Sequence, residues 1–306
     1  MRMRPLVSIG LPVRNGATLL RGAIESLLGQ DYSALEIIIS DNASTDQTSD
    51  ICREYASKDP RIRYSRNDRD IGPVENLNRV LALSNSPYFM WASHDDEWKP
   101  SYVRKCIELL ERHPDTVLAA AQCVSQDSQS GKVMFTDPGL TTIGLRPAAR
   151  FRRYRAAIHS GQHVGGIFYG VYRSAFLARA MPIRNIIATD HLVLAQLCLL
   201  GEFATVAEPL LLKRYGGISR SFKSIAMGLG LRNPLLTRFP YLVREAHMQQ
   251  LIFQSGQLTT FEKACLSCWS ASHYLWVNFL VGGAKNLVPE FIKEPVKRWL
   301  RRCESS

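Results

Sequence analysis

No stretch of this 306-residue chain stays apolar for the roughly 18 to 20 residues that a membrane-crossing helix needs; the nearest, residues 274–281, falls well short. The opening MRMRPLVSIGLPVRNG puts charge before an apolar run, but that run covers only residues 6–13, is broken by Pro12 and meets no small-residue cleavage site. It reads as a buried first strand rather than a secretion signal. The expectation is a cytoplasmic protein, with peripheral attachment to the cytoplasmic membrane face left open. Cysteine is sparse: seven residues, an odd number scattered along the chain, argue against a disulfide framework and for a reducing compartment. Cys265-x-x-Cys268 lacks the second ligand pair of a structural zinc site and lies in an apolar helical stretch, so it reads as two core thiols. Acidic residues are the minority charge, 27 against 38 Lys and Arg, for a net charge of +11. That surplus favours anionic partners such as nucleic acid, anionic lipid or phosphorylated small molecules. The aromatic-and-basic strand pattern of RNA modules is missing, which sets nucleic acid aside.

What is present is alternation. Over about the first 125 residues, short apolar runs alternate with helix-periodic segments, the pattern of βαβ units around a parallel sheet. Strands are expected at residues 7–11, 36–41, 62–65, 88–92 and 117–123. Helices are expected over residues 17–28, after a capping box Ser44-x-x-Gln47, from Pro73, and from Pro100 to His113-Pro114. Residues 125–148 turn polar and Gly-rich and read as loops and edge strands. A helix is expected from about Asp190 to Gly201, and the chain from Arg220 onward reads as wholly helical.

The run YFMWASHDDEWKP, residues 88–100, ends an apolar strand in two adjacent carboxylates, Asp95 and Asp96. Unpaired acids do not belong in a core, and strand ends of open α/β sheets are where ligands bind. Hard carboxylate oxygens there suit Mg2+ or Mn2+ together with substrate phosphates. The competing reading is a solvated turn with Asp96 as a helix N-cap.

Three strand ends carry polar residues: Pro12-Val13-Arg14-Asn15, then Asp41-Asn42-Ala43-Ser44-Thr45-Asp46, then Ser93-His94-Asp95-Asp96. Together they resemble the nucleotide-sugar half of family 2 glycosyltransferases with the GT-A fold, where a P-x-x-N strand end precedes a D-D/N-x-S-x-D loop and a D-x-D-like strand end. Asp70-Ile71-Gly72-Pro73-Val74-Glu75-Asn76-Leu77-Asn78 is similar to the segment that lines the donor pocket in that family. The run from His163 to Arg173 is similar to its sugar-facing loop. Thr189-Asp190-His191 stands where the family carries its catalytic carboxylate, and Lys213-Arg214-Tyr215 with Ser219-Arg220 resembles its final basic strand. The resemblance covers residues 7–220. Two departures stand out: Ser93 replaces the first acid of the D-x-D pattern, and Asn42 the second acid of the D-D pair.

The resemblance implies an α/β GT-A domain over residues 1–220, with a helical extension, residues 221–306, at a membrane or acceptor. It implies an inverting, metal-dependent transfer of a sugar from a nucleotide-diphosphate sugar to a glycan or lipid-linked acceptor. In that scheme Asp95 and Asp96 hold Mn2+ or Mg2+, Asp190 is the general base, and Arg214 binds phosphate. Asp41 recognises the base or ribose, and Pro12, Arg14, Asn15, Asn42, Asn76, Ser93 and His94 line the donor pocket. From the residues alone, Asp190 reads as a helix N-cap and His94 as an exposed turn histidine; the resemblance is what gives them roles in the site.

Arg146, Arg150, Arg152, Arg153 and Arg155 flank Phe151 and Tyr154; they read as a lid on phosphates, a contact for a phospholipid-like acceptor, or a solvated face. Residues 287–302 space apolar and basic side chains as an amphipathic helix does, which suits an anionic membrane surface or packing on its own domain. A catalytically silent binding partner, suggested by Ser93, is the alternative. A sugar nucleotidyltransferase would need a Gly-rich, Lys-bearing N-terminal loop, which is missing.

Overall fold

The computed structural model describes residues 6–159, 165–215, 229 and 240–275. One mixed sheet organises the chain. Strands β1 (Val7–Val13), β2 (Leu35–Asp41), β3 (Ile62–Arg66) and β4 (Tyr88–Trp91) run parallel in the order β3-β2-β1-β4. Beyond β4 lie β8 (Val171–Arg173), β6 (Thr116–Asp127), β9 (Glu202–Tyr215) and the two-residue β5 (Glu97–Trp98), while β7 (Val133–Asp137) pairs with the far end of β6. Helices α1 (Leu20–Leu28), α2 (Thr48–Lys58), α3 (Pro73–Ala82) and α4 (Tyr102–Arg112) connect the early strands. They are joined by α5 (Pro147–His159), the one-turn α6 (Ser174–Leu177), α7 (Thr189–Leu200), α8 (Pro240–Gln254) and α9 (Thr260–Leu275).

The core is two clusters, one on each sheet face. Tyr88, Met90 and Ala92 enter one, with α1 and α4; Phe89 and Trp91 enter the other, with α5 and α7. This two-residue alternation, buried on both sides, is why β1 and β2 read as continuous apolar runs. Met248, Ile252, Leu266 and Trp269 of α8 and α9 join the second cluster, so these helices share the core of the sheet. Gly10 makes the close approach of α3 to the sheet fit: a Cβ there would lie 2.6 Å from Phe89 Cζ and 2.8 Å from Val80 Cγ2.

The α/β class and the early strands are as expected, but four local expectations fail. Ser44 and Gln47 form no capping box: Asp46 Oδ1 accepts from the Thr48 amide at 3.0 Å, and Ser44 Oγ is used by the Asn15 amide. The arginine-rich segment is a helix, not a lid. Arg150 and Arg155 are 8% and 0% exposed, because Arg150 donates to the terminal carbonyls of α7, Cys198 O at 2.8 Å and Leu199 O at 3.0 Å, which a helix leaves unpaired. Cys265 and Cys268 are exposed rather than core, since α9 turns Leu266, Trp269 and Ser270 inward instead. The helix after Pro100 begins only at Tyr102, with Ser101 rather than Asp96 at its N-cap. Among the described residues no helix is long and apolar enough to cross a membrane. Residues 163–164, 219–220 and 287–302, singled out above, lie outside the described residues.

Candidate functional site

The site lies where β1, β2 and β4 end, and it is closed on one side by β9 and the start of α7. After β1 the chain turns through Asn15 at φ 51°, after β2 through Ala43 at φ 54°; asparagine tolerates this region better than most residues. The two loops are knitted together. Asn15 Oδ1 accepts from the Thr45 amide at 2.8 Å, and the Asn15 and Gly16 amides donate to Ser44 Oγ and Thr48 Oγ1, each at 2.9 Å. Partial burial pushes the Asp46 carboxyl up, but its bonds from Thr48 and Ala17 outweigh that and hold it below the ordinary range. Pro12 is paired within the sheet opposite Ser40.

Asp41 is not where a nucleotide could reach it. Its side chain is fully buried and accepts from the Ser44 amide at 2.9 Å, Ser49 Oγ at 2.7 Å, Tyr64 OH at 3.0 Å and Arg66 Nη1 at 2.7 Å. Burial pushes this carboxyl up, but the bonds from Ser44, Ser49 and Arg66 prevail and hold it down. Four donors saturate it, so its role moves from ligand contact to loop framework. Asn76 moves likewise: it is 2% exposed and clamps α3 to β2, accepting from Ser40 Oγ at 2.7 Å and donating to Ser40 O at 2.9 Å.

Asn42 has a different use for its amide than an aspartate would. It donates to Asp70 Oδ1 at 2.6 Å while accepting from the Ile71 amide at 2.9 Å and from Asn67 at 3.1 Å. Asp70 in turn pairs with half-exposed Arg14 at 2.9 Å. Arg14 and Asp70 therefore form the open rim above the β1–β2 loops. Asp70 belongs to the segment resembling a donor-pocket lining, although the resemblance implies no site role for it.

At the end of β4 the two acids part company. Ser93 Oγ donates to Asp95 Oδ1, which aims a half-buried carboxylate whose Oδ2 has no protein donor among the described residues. Asp96 is 2% exposed and turned inward; it accepts from Lys213 Nζ at 3.3 Å and from the Arg214 amide at 3.0 Å. Burial pushes its carboxyl up, against the pull of Lys213. Expected as a metal ligand, Asp96 instead ties β9 to the end of β4, because its oxygens are spent on that strand. His94 lies against Gly16, where a Cβ would come within 2.5 Å of the imidazole Cδ2. It packs the β4 end onto the β1 loop rather than standing free. Arg214 pairs with Glu97.

Lys213 and Tyr169, which lie in the segments resembling the final basic strand and the sugar-facing loop but are not among the expected site residues, join these parts. Lys213 Nζ sits 3.9 Å above the Tyr169 ring; burial alone would lower its pKa, but Tyr169 and Asp96 raise it overall, so it stays an ammonium. Tyr169 follows Phe168, which stacks on Trp91 at 4.9 Å, and the Tyr169 carbonyl accepts from Tyr102 OH at 3.0 Å. The Tyr169 phenol is pulled down by Lys213 but raised by burial and by Asp96, Asp95 and Asp190. The charges of Asp95 and Asp96 at the end of β4 and of Asp190 at the start of α7 thus all act on one phenol, with one ammonium on the face of its ring. Asp190 is about a third exposed, in the first turn of α7 after Ala188 at φ 60°.

Among the described residues no three His, Cys, Asp or Glu side chains cluster as a closed metal site. Asp95, one of whose oxygens has no donor among the described residues, fits the open kind of site in which one or two carboxylates share a divalent cation with phosphates.

Residues 8–176 match the family model described as Glycosyl transferase family 2. The chain is 39% identical over 103 residues to the glycosyl transferase WcaA assigned to colanic acid biosynthesis in Escherichia coli (strain K12), covering 33% of this chain and 36% of WcaA. It is 38% identical over 108 residues to an uncharacterized glycosyltransferase of Rickettsia prowazekii (strain Madrid E), covering 35% of this chain and 33% of that protein. The match spans about a third of the length of these curated relatives. Among solved structures, S. aureus TarS 1–349 in complex with UDP-GlcNAc aligns at TM-score 0.65 and 16% identity, over 95% of this chain and 78% of that one. Mannosyltransferase PcManGT from Pyrobaculum calidifontis, in complex with GDP-Man and Mn2+, aligns at TM-score 0.55 and 16% identity, over 98% and 84%. At these identities the likeness is one of fold.

Proposed function

The chain belongs to glycosyl transferase family 2, and from that premise we propose that it moves a sugar from a nucleotide-diphosphate donor to a hydroxyl of a glycan or lipid-linked acceptor, with inversion at the anomeric carbon. The observation that carries this reading is the Lys213 ammonium held 3.9 Å over the Tyr169 ring and 3.3 Å from Asp96 at the end of β4, beside a phenol whose pKa the charges of Asp95 and Asp190 also raise. Arg14, Asn15 and the Asn42–Asp70 pair hold the nucleoside at the β1–β2 rim. Lys213 and Arg214 present positive charge to the diphosphate. Asp190 takes the proton of the acceptor hydroxyl as the new C–O bond forms and the sugar–diphosphate bond breaks, its electron pair leaving on phosphate. A positioned base of this kind contributes on the order of 10² to 10⁴ in rate.

Asp95 would hold Mn2+ or Mg2+, with Ser93 aligning it from the position of the missing acid. When bound, the ion supplies Lewis-acid stabilisation of charge on the leaving group. The donors named for TarS and PcManGT, UDP-GlcNAc and GDP-Man, make UDP- and GDP-sugars the first to try. WcaA supports surface polysaccharide synthesis as the setting. We place the reaction in the cytoplasm, where the net charge of +11 favours an anionic membrane face.

Thermal unfolding with UDP-, dTDP- and GDP-sugars and Mn2+ tests the donor site. A true donor at a hundred times its Kd adds about 2.7 kcal/mol, and Asp95→Ala removes the metal-dependent part. No stabilisation by any donor contradicts the proposal. Stabilisation without turnover favours the silent binding partner that Ser93 suggested.

A further inference from the structure

Asp190 needs a partner that aims its carboxylate, and α8 supplies one at a single remove. The neighbouring His191 places Nε2 4.0 Å from Asp190 Oδ2. On its other side, His191 Nδ1 lies 3.4 Å from Nη1 of Arg244. A guanidinium offers N–H donors and no acceptor, so the ring nitrogen it meets must present a lone pair. The proton of the neutral imidazole then sits on Nε2 and faces Asp190. We propose that Arg244 is a positioning residue for the transfer reaction: it fixes His191 in the Nε2–H tautomer, whose N–H dipole, 4.0 Å from Asp190 and beyond direct hydrogen bonding in this state, orients that carboxylate electrostatically. The proposal rests on Asp190 being the base.

The surroundings are built to hold Arg244 still. It is 5% exposed, and the next residue, Glu245, joins three helices. Glu245 accepts from Arg155 Nη2 of α5 at 2.5 Å, from Ser270 Oγ of α9 at 2.7 Å and from Gln249 Nε2 of α8 at 2.9 Å. A buried ion pair is a weak source of stability, and its best-attested use is to specify one arrangement. The His191 main chain is held as well, its carbonyl accepting from buried Tyr154 OH at 3.1 Å. Among the described residues, the charged groups that act on the ring are Asp190 on its own helix, Arg244 from α8 and Arg155 from α5. Burial lowers the His191 pKa, Asp190 opposes this, and the two arginines lower it again, so the net direction is down from 6.5. The ring is therefore neutral at pH 7, as a tautomer lock requires. The C-terminal helices thus reach the reaction centre through one side chain.

The test uses the full chain, with Arg244→Met, the conservative Arg244→Lys, and Asp190→Asn. Long-range 15N–1H spectra of the imidazoles read the tautomer directly, with no need for activity. The wild type is expected to show His191 as Nε2–H. Arg244→Met should show mixed tautomers and a kcat lower by between about ten- and a hundredfold, the loss expected when a reacting group is misplaced by up to about 1 Å. Donor KM should not move, and Arg244→Lys should recover most of both readouts. A wild-type ring protonated at Nδ1 overturns the proposal even if Arg244→Met does not fold. So does an Arg244→Met variant with unchanged tautomer and kcat. Full transfer by Asp190→Asn removes the base and the proposal with it; transfer lost there but kept in Arg244→Met overturns the positioning role alone.

Discussion

Asp41 is the residue at which framework and ligand roles separate most cleanly. Replacing it by asparagine keeps the shape and one acceptor. Oδ1 can still serve the Ser44 amide, but an NH2 now stands where Oδ2 accepted from Ser49 Oγ, Tyr64 OH and Arg66 Nη1. Arg66 is more than a third exposed and can turn to water, so its screened charge adds nothing to the sum. Losing the other two donors' acceptor leaves a cost of about 2–3 kcal/mol, at about 1 kcal/mol or more for each buried bond broken. For a chain of this size that is a fall in Tm of roughly 4–6 °C. The sign with pH follows from the direction of the shift. Asp41 is held below its ordinary value in the folded state, so its contribution is present above about pH 4 and fades as pH falls through the lower folded value. The Tm gap between wild type and Asp41→Asn should therefore close below about pH 4. Thermal unfolding from pH 3 to 8, with nucleotide titrations at pH 7, reads both effects. An unchanged Tm at pH 7 together with lost nucleotide binding would refute the framework reading and restore Asp41 as a ligand contact.

Other consequences are as direct. Gly10→Ala forces a Cβ into Phe89 and Val80 and should cost about 1–3 kcal/mol as overpacking, read by denaturant unfolding. Arg150→Met strips the donor from the end of α7 and should cost about 2–3 kcal/mol while leaving donor Kd unchanged in the folded fraction. Lys213→Met should weaken donor binding by about tenfold, that is about 1.4 kcal/mol, measured by calorimetry with the same donor and metal. An unchanged Kd would move the diphosphate away from Tyr169.

The early half of the fold was legible because its signals are local. The apolar runs of β1, β2 and β4 and the proline opening α3 each announce themselves within ten residues. What lay hidden depends on distant partners. The arginines of α5 read as a lid, an acceptor contact or a solvated face until α7 is seen to supply carbonyls to Arg150 and α8 to supply Glu245 to Arg155. The 14-residue β9 was legible only in part, because its inner portion is fixed by pairing with β6. The same limit governs the site. Asp95 and Asp96 are adjacent in sequence and were both expected at the metal; Lys213, more than a hundred residues on, decides that Asp96 turns inside while Asp95 is left open. Asp41 read as a ligand contact for the same reason, since nothing near it reveals Arg66 and Tyr64 as partners. Tyr169 lies in the run that resembles a sugar-facing loop, but nothing in that run singles it out, and Arg244 belongs to no motif; the importance of both comes from what they touch.

The claim beneath all of this is that an acceptor hydroxyl meets its base at the start of α7, opposite a donor anchored near Asp95. Measuring transfer and donor affinity side by side in Asp190→Asn tests it directly. Transfer should fall by at least about 10² with donor Kd unchanged. Undiminished transfer, or donor binding lost along with it, would contradict the account.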